Sequence, residues 1–207
     1  MVSFKLLSVI VFGVASAAAA VSNEIWGPRG KARRRLRTGV TAIADRTIVT
    51  VSGTVRAPAQ PLVAPLSGRP CVLYQSFGRI YDGAGRSRTL RATLERREMI
   101  SFELEIEGRT VIIDGTTAEI DLRPAPTIPR KLELEVAFVT SAGHSVDYVR
   151  GGGFEEITIA PGDKIRVQGM AIVEAELPGE RGYRDETMTK VRIVAHDQHP
   201  LTIGVAR

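Results

Sequence analysis

The sequence is poor in cysteine, histidine and aromatic residues. Its 207 residues include one Cys, three His and one Trp, and aromatic residues make up 5% of the chain. A single cysteine excludes an intramolecular disulfide framework and any zinc site built from thiolates. Scarce aromatic side chains argue against a large stacking surface for nucleic-acid bases.

The sequence also lacks an excess of positive or negative charge, except in one short basic segment. The net charge is +5, yet residues 38–207 hold 21 Lys and Arg against 22 Asp and Glu. The excess comes from residues 29–37 (RGKARRRLR), whose basic side chains are Arg29, Lys31, Arg33, Arg34, Arg35 and Arg37. The remainder of the chain is close to neutral, so its overall charge does not draw it to nucleic acid.

One run of apolar residues is long enough to suggest a membrane-spanning helix or a signal peptide, residues 6–21 (LLSVIVFGVASAAAAV). A membrane-spanning helix needs about 20 residues, a length that the uncharged Ser22 and Asn23 help to reach. A cleavable signal peptide is the alternative, because residues 15–17 (ASA) and 18–20 (AAA) have the small side chains of a cleavage site. The adjacent basic residues favour an uncleaved anchor, since Lys and Arg beside a span stay on the cytoplasmic side.

Three regions follow from these patterns. Residues 1–23 are the N-terminal membrane anchor or signal segment, residues 24–45 are a basic linker, and residues 46–207 are a β domain. The whole chain has 43% apolar and 25% charged residues. These values are close to globular averages and exclude a disordered, collagen-like or polytopic membrane protein.

Short stretches of alternating apolar and polar residues dominate residues 46–207. Residues 47–55 alternate, and so do residues 100–106, which a Glu107-Gly108 turn joins to residues 110–113 as a hairpin. Further strands are expected at residues 71–75, 88–94, 118–122, 155–159, 164–177, 190–195 and 201–205. Residues 132–139 suit either a strand or a short helix. We predict a mainly β fold, an OB-like barrel or sandwich of about nine short strands with one possible short helix, preceded by an N-terminal hydrophobic helix.

Several motifs are spread through this β region. They include residues 61–74 (PLVAPLSGRPCVLY), residues 155–156 (EE) and residues 161–169 (PGDKIRVQG). With these motifs, residues 48–203 resemble the GIDE-type domain, the β-rich, membrane-adjacent module of the mitochondrial E3 ubiquitin ligases called MULAN or MAPL, which bacterial relatives carry alone. The motif residues are Gly53, Pro65, Gly68, Pro70, Cys71, Tyr74, Pro161, Gly162, Asp163 and Gly169.

The resemblance does not extend to ubiquitin-ligase activity. A RING binds two zinc ions through about eight Cys and His ligands, and this chain has one Cys and three His. The resemblance therefore implies a membrane-adjacent domain whose biochemical role in bacteria is unassigned. No motif indicates a cofactor.

Some motif residues also have a purely structural explanation. Pro161 and Gly162 suit consecutive positions of a tight turn, in which the carboxylate of Asp163 is expected to be a cap rather than a catalyst. Cys71 opens an apolar run and is expected to be a small buried hydrophobe rather than a reactive thiol, because no histidine lies near it in sequence.

Other candidate sites have only weak signals. His196 and His199 could supply two metal ligands on a helix, but the flanking residues favour a solvated loop. His144, Ser145 and Asp147 suggest a hydrolase, although a catalytic triad is recognised by geometry rather than by sequence. We therefore predict no catalytic, metal or cofactor site.

Residues 86–97 (RSRTLRATLERR) are unusually rich in arginine. The side chains that could bind the phosphates of a lipid or nucleic acid are those of Arg86, Arg88, Arg91, Arg96 and Arg97. The alternative is an edge strand whose charges oppose aggregation and pair with Glu103, Glu105 and Glu107.

These observations predict a non-enzymatic interaction or scaffolding module that binds a protein partner. A single N-terminal span would hold it at the membrane, with the β domain in the cytoplasm. One alternative is an exported β domain with the same role, periplasmic or secreted after signal cleavage. Another is an OB-like binder of nucleic acid or anionic lipid through residues 86–97, although neutral charge and few aromatics argue against nucleic acid.

Overall fold

The computed structural model describes residues 43–82, 89–116, 118–122, 131–175 and 189–205. The expected N-terminal helix, the basic residues 29–37, Arg86 and Arg88 lie outside the described residues. None of the helices in the described ranges combines the length and the apolar content that a bilayer crossing requires.

Most described residues belong to strands. The strands are β1 (Ile48–Val55), β2 (Leu62–Val63), β3 (Pro70–Cys71), β4 (Leu73–Asp82), β5 (Thr89–Met99), β6 (Phe102–Ile106), β7 (Arg109–Asp114), β8 (Glu119–Asp121), β9 (Gly153–Ile159), β10 (Lys164–Ala175), β11 (Thr189–Val194) and β12 (Thr202–Val205). One α-helix, α1 (Leu132–Ser141), and a 3-10 helix, Val146–Gly151, complete the elements of the described ranges.

Five of the strands close into a barrel. Around the ring, β1 pairs with β6, β6 with β7, β7 with β11, β11 with β10, and β10 again with β1. The β7–β11 pair is parallel and the other four pairs are antiparallel. Each ring strand has two neighbours, so closure satisfies backbone groups that an open sheet would leave at its edges. Strand β12 also pairs with β10, and β8 pairs with β12.

Alternate residues of β1 show how the barrel buries its apolar side chains. Val49, Val51 and Val55 are buried in the main core, as the two-residue period of a strand requires. Gly53 takes the remaining place in this row because β6 passes very close to it. A Cβ atom there would lie 2.3 Å from the carbonyl oxygen of Glu105.

A separate antiparallel sheet, in the order β5–β4–β9, packs against the barrel on one side and α1 on the other. Leu73 and Ile159 contribute to the barrel core. On the opposite side, Phe138 of α1 packs edge-on against Phe154, with ring centroids 6.4 Å apart. Apolar side chains therefore cover the helix side of the sheet, and the opposite side meets the barrel at the end that carries Leu73 and Ile159.

The mainly β prediction is confirmed, and the structure specifies a closed barrel with a separate sheet. The predicted hairpin is also confirmed, since Glu107 and Gly108 both have positive φ, at 48° and 79°. The described residues contain twelve strands rather than about nine, because the two-residue strands β2 and β3 have no alternation to detect. Residues 132–139 belong to α1, where packing of Phe138 and Val139 against the sheet decides between the two local alternatives.

Candidate interaction site

The two-stranded β2–β3 ribbon packs beside Tyr74 of the sheet, and we call residues 62–71 the arm. Leu62 pairs with Cys71, and Val63 pairs with Pro70. The loop between the strands is closed by two backbone hydrogen bonds, from the Ala64 N–H to the Arg69 carbonyl (3.0 Å) and from the Gly68 N–H to the Ala64 carbonyl (2.8 Å).

A buried carboxylate on β9 holds this loop. Glu156 is fully buried, and its Oε1 accepts hydrogen bonds from the Leu66 N–H (2.9 Å) and the Ser76 hydroxyl (2.7 Å). Its Oε2 accepts from the Ser67 N–H (3.0 Å). Burying a carboxylate is costly unless hydrogen bonds replace water, and these three donors provide that replacement. The polar side chain thus fixes the arm to the sheet.

Strand pairing places Glu156 where it can reach the arm. Ser76 on β4 lies directly opposite Glu156 on β9, so both side chains point to the same face of the sheet. Tyr74 lies two residues before Ser76 on the same face, and packs with Ala64 and Cys71 in a small apolar cluster under the arm. The arm is therefore supported by polar contacts to its loop and apolar contacts to its strands.

Helix α1 makes a further contact with the arm. The Nζ of Lys131, which precedes the helix, donates a hydrogen bond to the Ser67 carbonyl oxygen (3.0 Å). Gly68 has φ +69°, and a Cβ atom there would lie 3.3 Å from Leu134. Gly68, Lys131 and residues 132–134 line an open depression between the arm and the helix.

Cys71 is the last residue of the arm, and its thiol is buried beside Tyr74. In this position the thiol is a poor nucleophile. Burial raises the pKa of Cys71 to about 11, and the nearby carboxylates of Glu156 and Glu98 act in the same direction. A thiol with this pKa is almost entirely protonated at neutral pH, and the thiolate is the reactive form.

Tyr74 has its hydroxyl engaged within the protein. It donates to Oε2 of Glu98 on β5 at 2.7 Å. Burial raises the pKa of Tyr74, and the hydrogen bond to Glu98 adds to this effect. The ring is consequently an anchor for the arm with its polar end satisfied at the sheet edge.

The Pro161-Gly162-Asp163 motif forms the turn between β9 and β10. Gly162 has φ +90°, and the Asp163 N–H donates to the Ala160 carbonyl at 3.1 Å, as in a tight turn with glycine in its third position. The Asp163 carboxylate accepts from the Ala160 N–H at 2.7 Å, which gives it the capping position expected from the sequence. In the barrel, Gly169 allows close packing, because a Cβ atom there would lie 2.7 Å from Ile193.

The structure thus separates the motif residues into two groups. Pro65, Gly68, Pro70, Cys71 and Tyr74 belong to the arm and its support. Gly53, Gly169 and the turn at Asp163 belong to the barrel.

The described arginines of the basic segment lie on β5, an outer strand of the separate sheet. The guanidinium of Arg91 contacts the Asp82 carboxylate at 2.8 Å. Arg97 is partly desolvated, which lowers its pKa, while Glu95 and Glu119 act in the opposite direction. Local acidic residues therefore neutralise part of this segment.

The expectation that Glu103, Glu105 and Glu107 would pair with these arginines is wrong. Glu103 and Glu105 lie on β6 of the barrel, and Glu107 lies in the turn that follows it. Glu103 contacts Arg56 at 3.1 Å instead. Adjacency of the two segments in sequence does not make them neighbours, because β5 and β6 belong to different sheets.

The histidine and serine candidates have local structural roles. His196 and His199 exchange two backbone hydrogen bonds of 2.9 Å across a turn, which is not the helical arrangement that a three-residue spacing would need for shared ligation. The Ser145 hydroxyl accepts from the Asp147 N–H at 3.4 Å and caps the 3-10 helix. Across the described ranges, no group of three or more His, Cys, Asp or Glu side chains is placed to hold a metal ion.

No family model and no curated protein matches this chain.

Two large apolar side chains at the arm and the neighbouring depression remain exposed to solvent. Val63 on β2 is 65% exposed and Leu132 beside the depression is 60% exposed, the two highest values among the exposed large apolar side chains of the described residues. Both side chains are therefore candidate contact points for a partner.

Sequence reasoning did not single out the residues that hold the arm. Glu156 lies in the motif at residues 155–156, but nothing in that motif indicates that its carboxylate is buried. Ser76 and Lys131 belong to no motif. The one available signal was the position of Glu156 on the same face of its strand as Phe154, which is the face that α1 covers. Recognising it required knowledge of which face is buried.

Proposed function

We propose that this protein is a non-enzymatic binding module of the GIDE type, tethered to a membrane by residues 1–23, with the arm as its contact surface. The observation that carries the proposal is the use of buried polar groups to hold the arm. Glu156 accepts three hydrogen bonds from the arm and its support, while Val63 remains exposed. A preorganised apolar surface loses little conformational entropy when it binds.

The architecture supports an OB-like barrel. Around the ring the strands follow the order β1, β6, β7, β11, β10. This order differs from the chain order only in that β11 comes before β10. A five-stranded barrel of mixed connectivity is the architecture of OB-folds, which serve as binding modules in many settings.

Membrane fractionation of the full-length protein tests the tether. We expect the protein to remain in the membrane pellet after washes with high salt and with alkaline carbonate, because an apolar span is not released by screening of charge. The matched control lacks residues 1–23 and should enter the soluble fraction. Release of the full-length protein by salt alone would contradict the tether.

N-terminal sequencing of the mature protein distinguishes the exported alternative from the uncleaved anchor. An uncleaved anchor retains the residues before position 15. A mature chain that begins near Ala18 or Val21 would instead establish signal cleavage and export.

A further inference from the structure

His196 and His199 face each other across a two-residue turn between β11 and β12. The N–H of each residue donates to the carbonyl oxygen of the other at 2.9 Å, so the two residues form a directly opposed pair of a hairpin. Opposed residues of an antiparallel pair have their side chains on the same face, with Cα atoms about 5.5 Å apart. The pairing therefore gives the two rings a common face by a route other than a helix.

The spacing of the two rings is close to that of two ligands of one metal ion. Their centroids are 6.1 Å apart and their planes differ by 30°. A metal–nitrogen bond of about 2.0–2.1 Å places a ring centroid about 3.2 Å from the ion, so the centroids of two rings on one tetrahedral ion are about 5.2 Å apart. Because His196 is exposed, a small rotation of its ring is sufficient to close this difference.

The backbone on both sides of the turn is held by the barrel. Val194, two residues before His196, pairs with Met170 of β10. Leu201, two residues after His199, is fully buried in the barrel core. A site on a fixed backbone loses little conformational entropy when it binds an ion.

The charges around the pair favour a cation. Residues 193–206 contain no Lys or Arg, and their one charged residue is the exposed Asp197 in the turn itself. The guanidinium of Arg192, the basic residue directly before this segment, is engaged by the carboxylates of Asp114 and Glu174. The positive charge nearest in sequence is therefore already balanced.

We propose that His196 and His199 together bind one divalent transition-metal ion of the class that favours imidazole, with water at its remaining coordination positions. Two protein ligands leave an open coordination shell, in contrast to the closed shell of structural zinc. One contact opposes binding, because the Gln198 N–H donates to Nδ1 of His196 at 3.3 Å. This hydrogen bond is long, so its loss costs little. The inference does not depend on the proposed tether or on the arm.

Zinc titration of the full-length protein, purified without a histidine tag, tests the site. Calorimetry with ZnCl₂ measures the affinity and the stoichiometry, and we expect one ion per chain. His196→Gln and His199→Gln should each weaken binding at least about tenfold, because the remaining imidazole no longer acts together with a second one on the same chain. The matched control, His144→Gln, removes the third histidine of the chain and should leave binding unchanged.

Nuclear magnetic resonance of the histidine rings identifies the ligand atoms. In a long-range ¹H–¹⁵N spectrum, Zn²⁺ should shift one ring nitrogen of His196 and one of His199, and none of His144. Native affinity in both His196→Gln and His199→Gln would overturn the proposal. A shift confined to one of the two rings would also overturn it, because it would show adventitious binding to a single imidazole, and so would one ion per two chains, because the ion would then bridge two molecules.

Discussion

Replacing Glu156 with glutamine tests whether a buried carboxylate holds the arm. The new amide oxygen can replace Oε1 and keep the hydrogen bonds from the Leu66 N–H and the Ser76 hydroxyl. Its NH₂ group then faces the Ser67 N–H, which donates to Oε2 in the native protein. Two donors cannot satisfy each other, so at least one buried N–H loses its partner.

The expected cost follows from this single mismatch. A buried donor without an acceptor costs about 1–3 kcal/mol, and the unpaired NH₂ hydrogens add to it. Relaxation of the loop at the exposed Gly68 offsets part of this, so we expect a loss of about 2–3 kcal/mol in the free energy of unfolding. With an m-value of about 2 kcal/mol/M in urea, the unfolding midpoint should fall by about 1–1.5 M.

The neighbouring residue on the same strand provides a matched control. Glu155 is exposed and lies 3.7 Å from Arg79, so Glu155→Gln should change stability by about 0.5 kcal/mol or less. Hydrogen exchange adds a local measurement, because the amides of Leu66 and Ser67 should exchange faster in Glu156→Gln than in Glu155→Gln. Equal urea midpoints and equal exchange in the two variants would refute the assigned role of Glu156.

Two further predictions concern the same region. The pKa of Cys71 rises from an ordinary value of 9.0 to about 11 in the folded protein, so its contribution to stability is complete below about pH 9 and is lost as the pH rises toward 11. Urea unfolding from pH 8 to 11 should show this decline, and it should be smaller in Cys71→Ala; an identical pH dependence in that variant would argue against it. At Gly68, alanine should cost about 1 kcal/mol because φ is +69°, whereas Gly153→Ala, with no atom within 4 Å of the new Cβ, should be neutral or stabilising in the same thermal unfolding assay.

Much of the fold follows from local sequence patterns. The hairpin around Glu107 and Gly108 was predictable because a two-residue turn with positive φ leaves few alternatives to a glycine-containing pair. The turn at Gly162 was predictable for a similar reason. Alternation also indicated β1, since a strand with one buried face needs an apolar side chain at every second residue.

Other elements could not be read from local patterns. Residues 132–139 fitted a strand and a helix equally well, and only the sheet beneath Phe138 and Val139 selects the helix. Strands β4 and β5 extend beyond the expected residues 71–75 and 88–94. Their long mutual pairing stabilises segments with weak alternation.

The amino-acid sequence by itself determined the β class, the main turns and the absence of a cysteine framework, because each depends on residue type over a few neighbouring positions. Tertiary structure alone decided what Glu156 does. Its partners Leu66 and Ser76 are 90 and 80 residues away, and neighbouring Glu155 is exposed on the other face of the same strand. Whether a carboxylate is solvated or holds a loop depends on which face of the sheet is covered, and that is set by long-range packing.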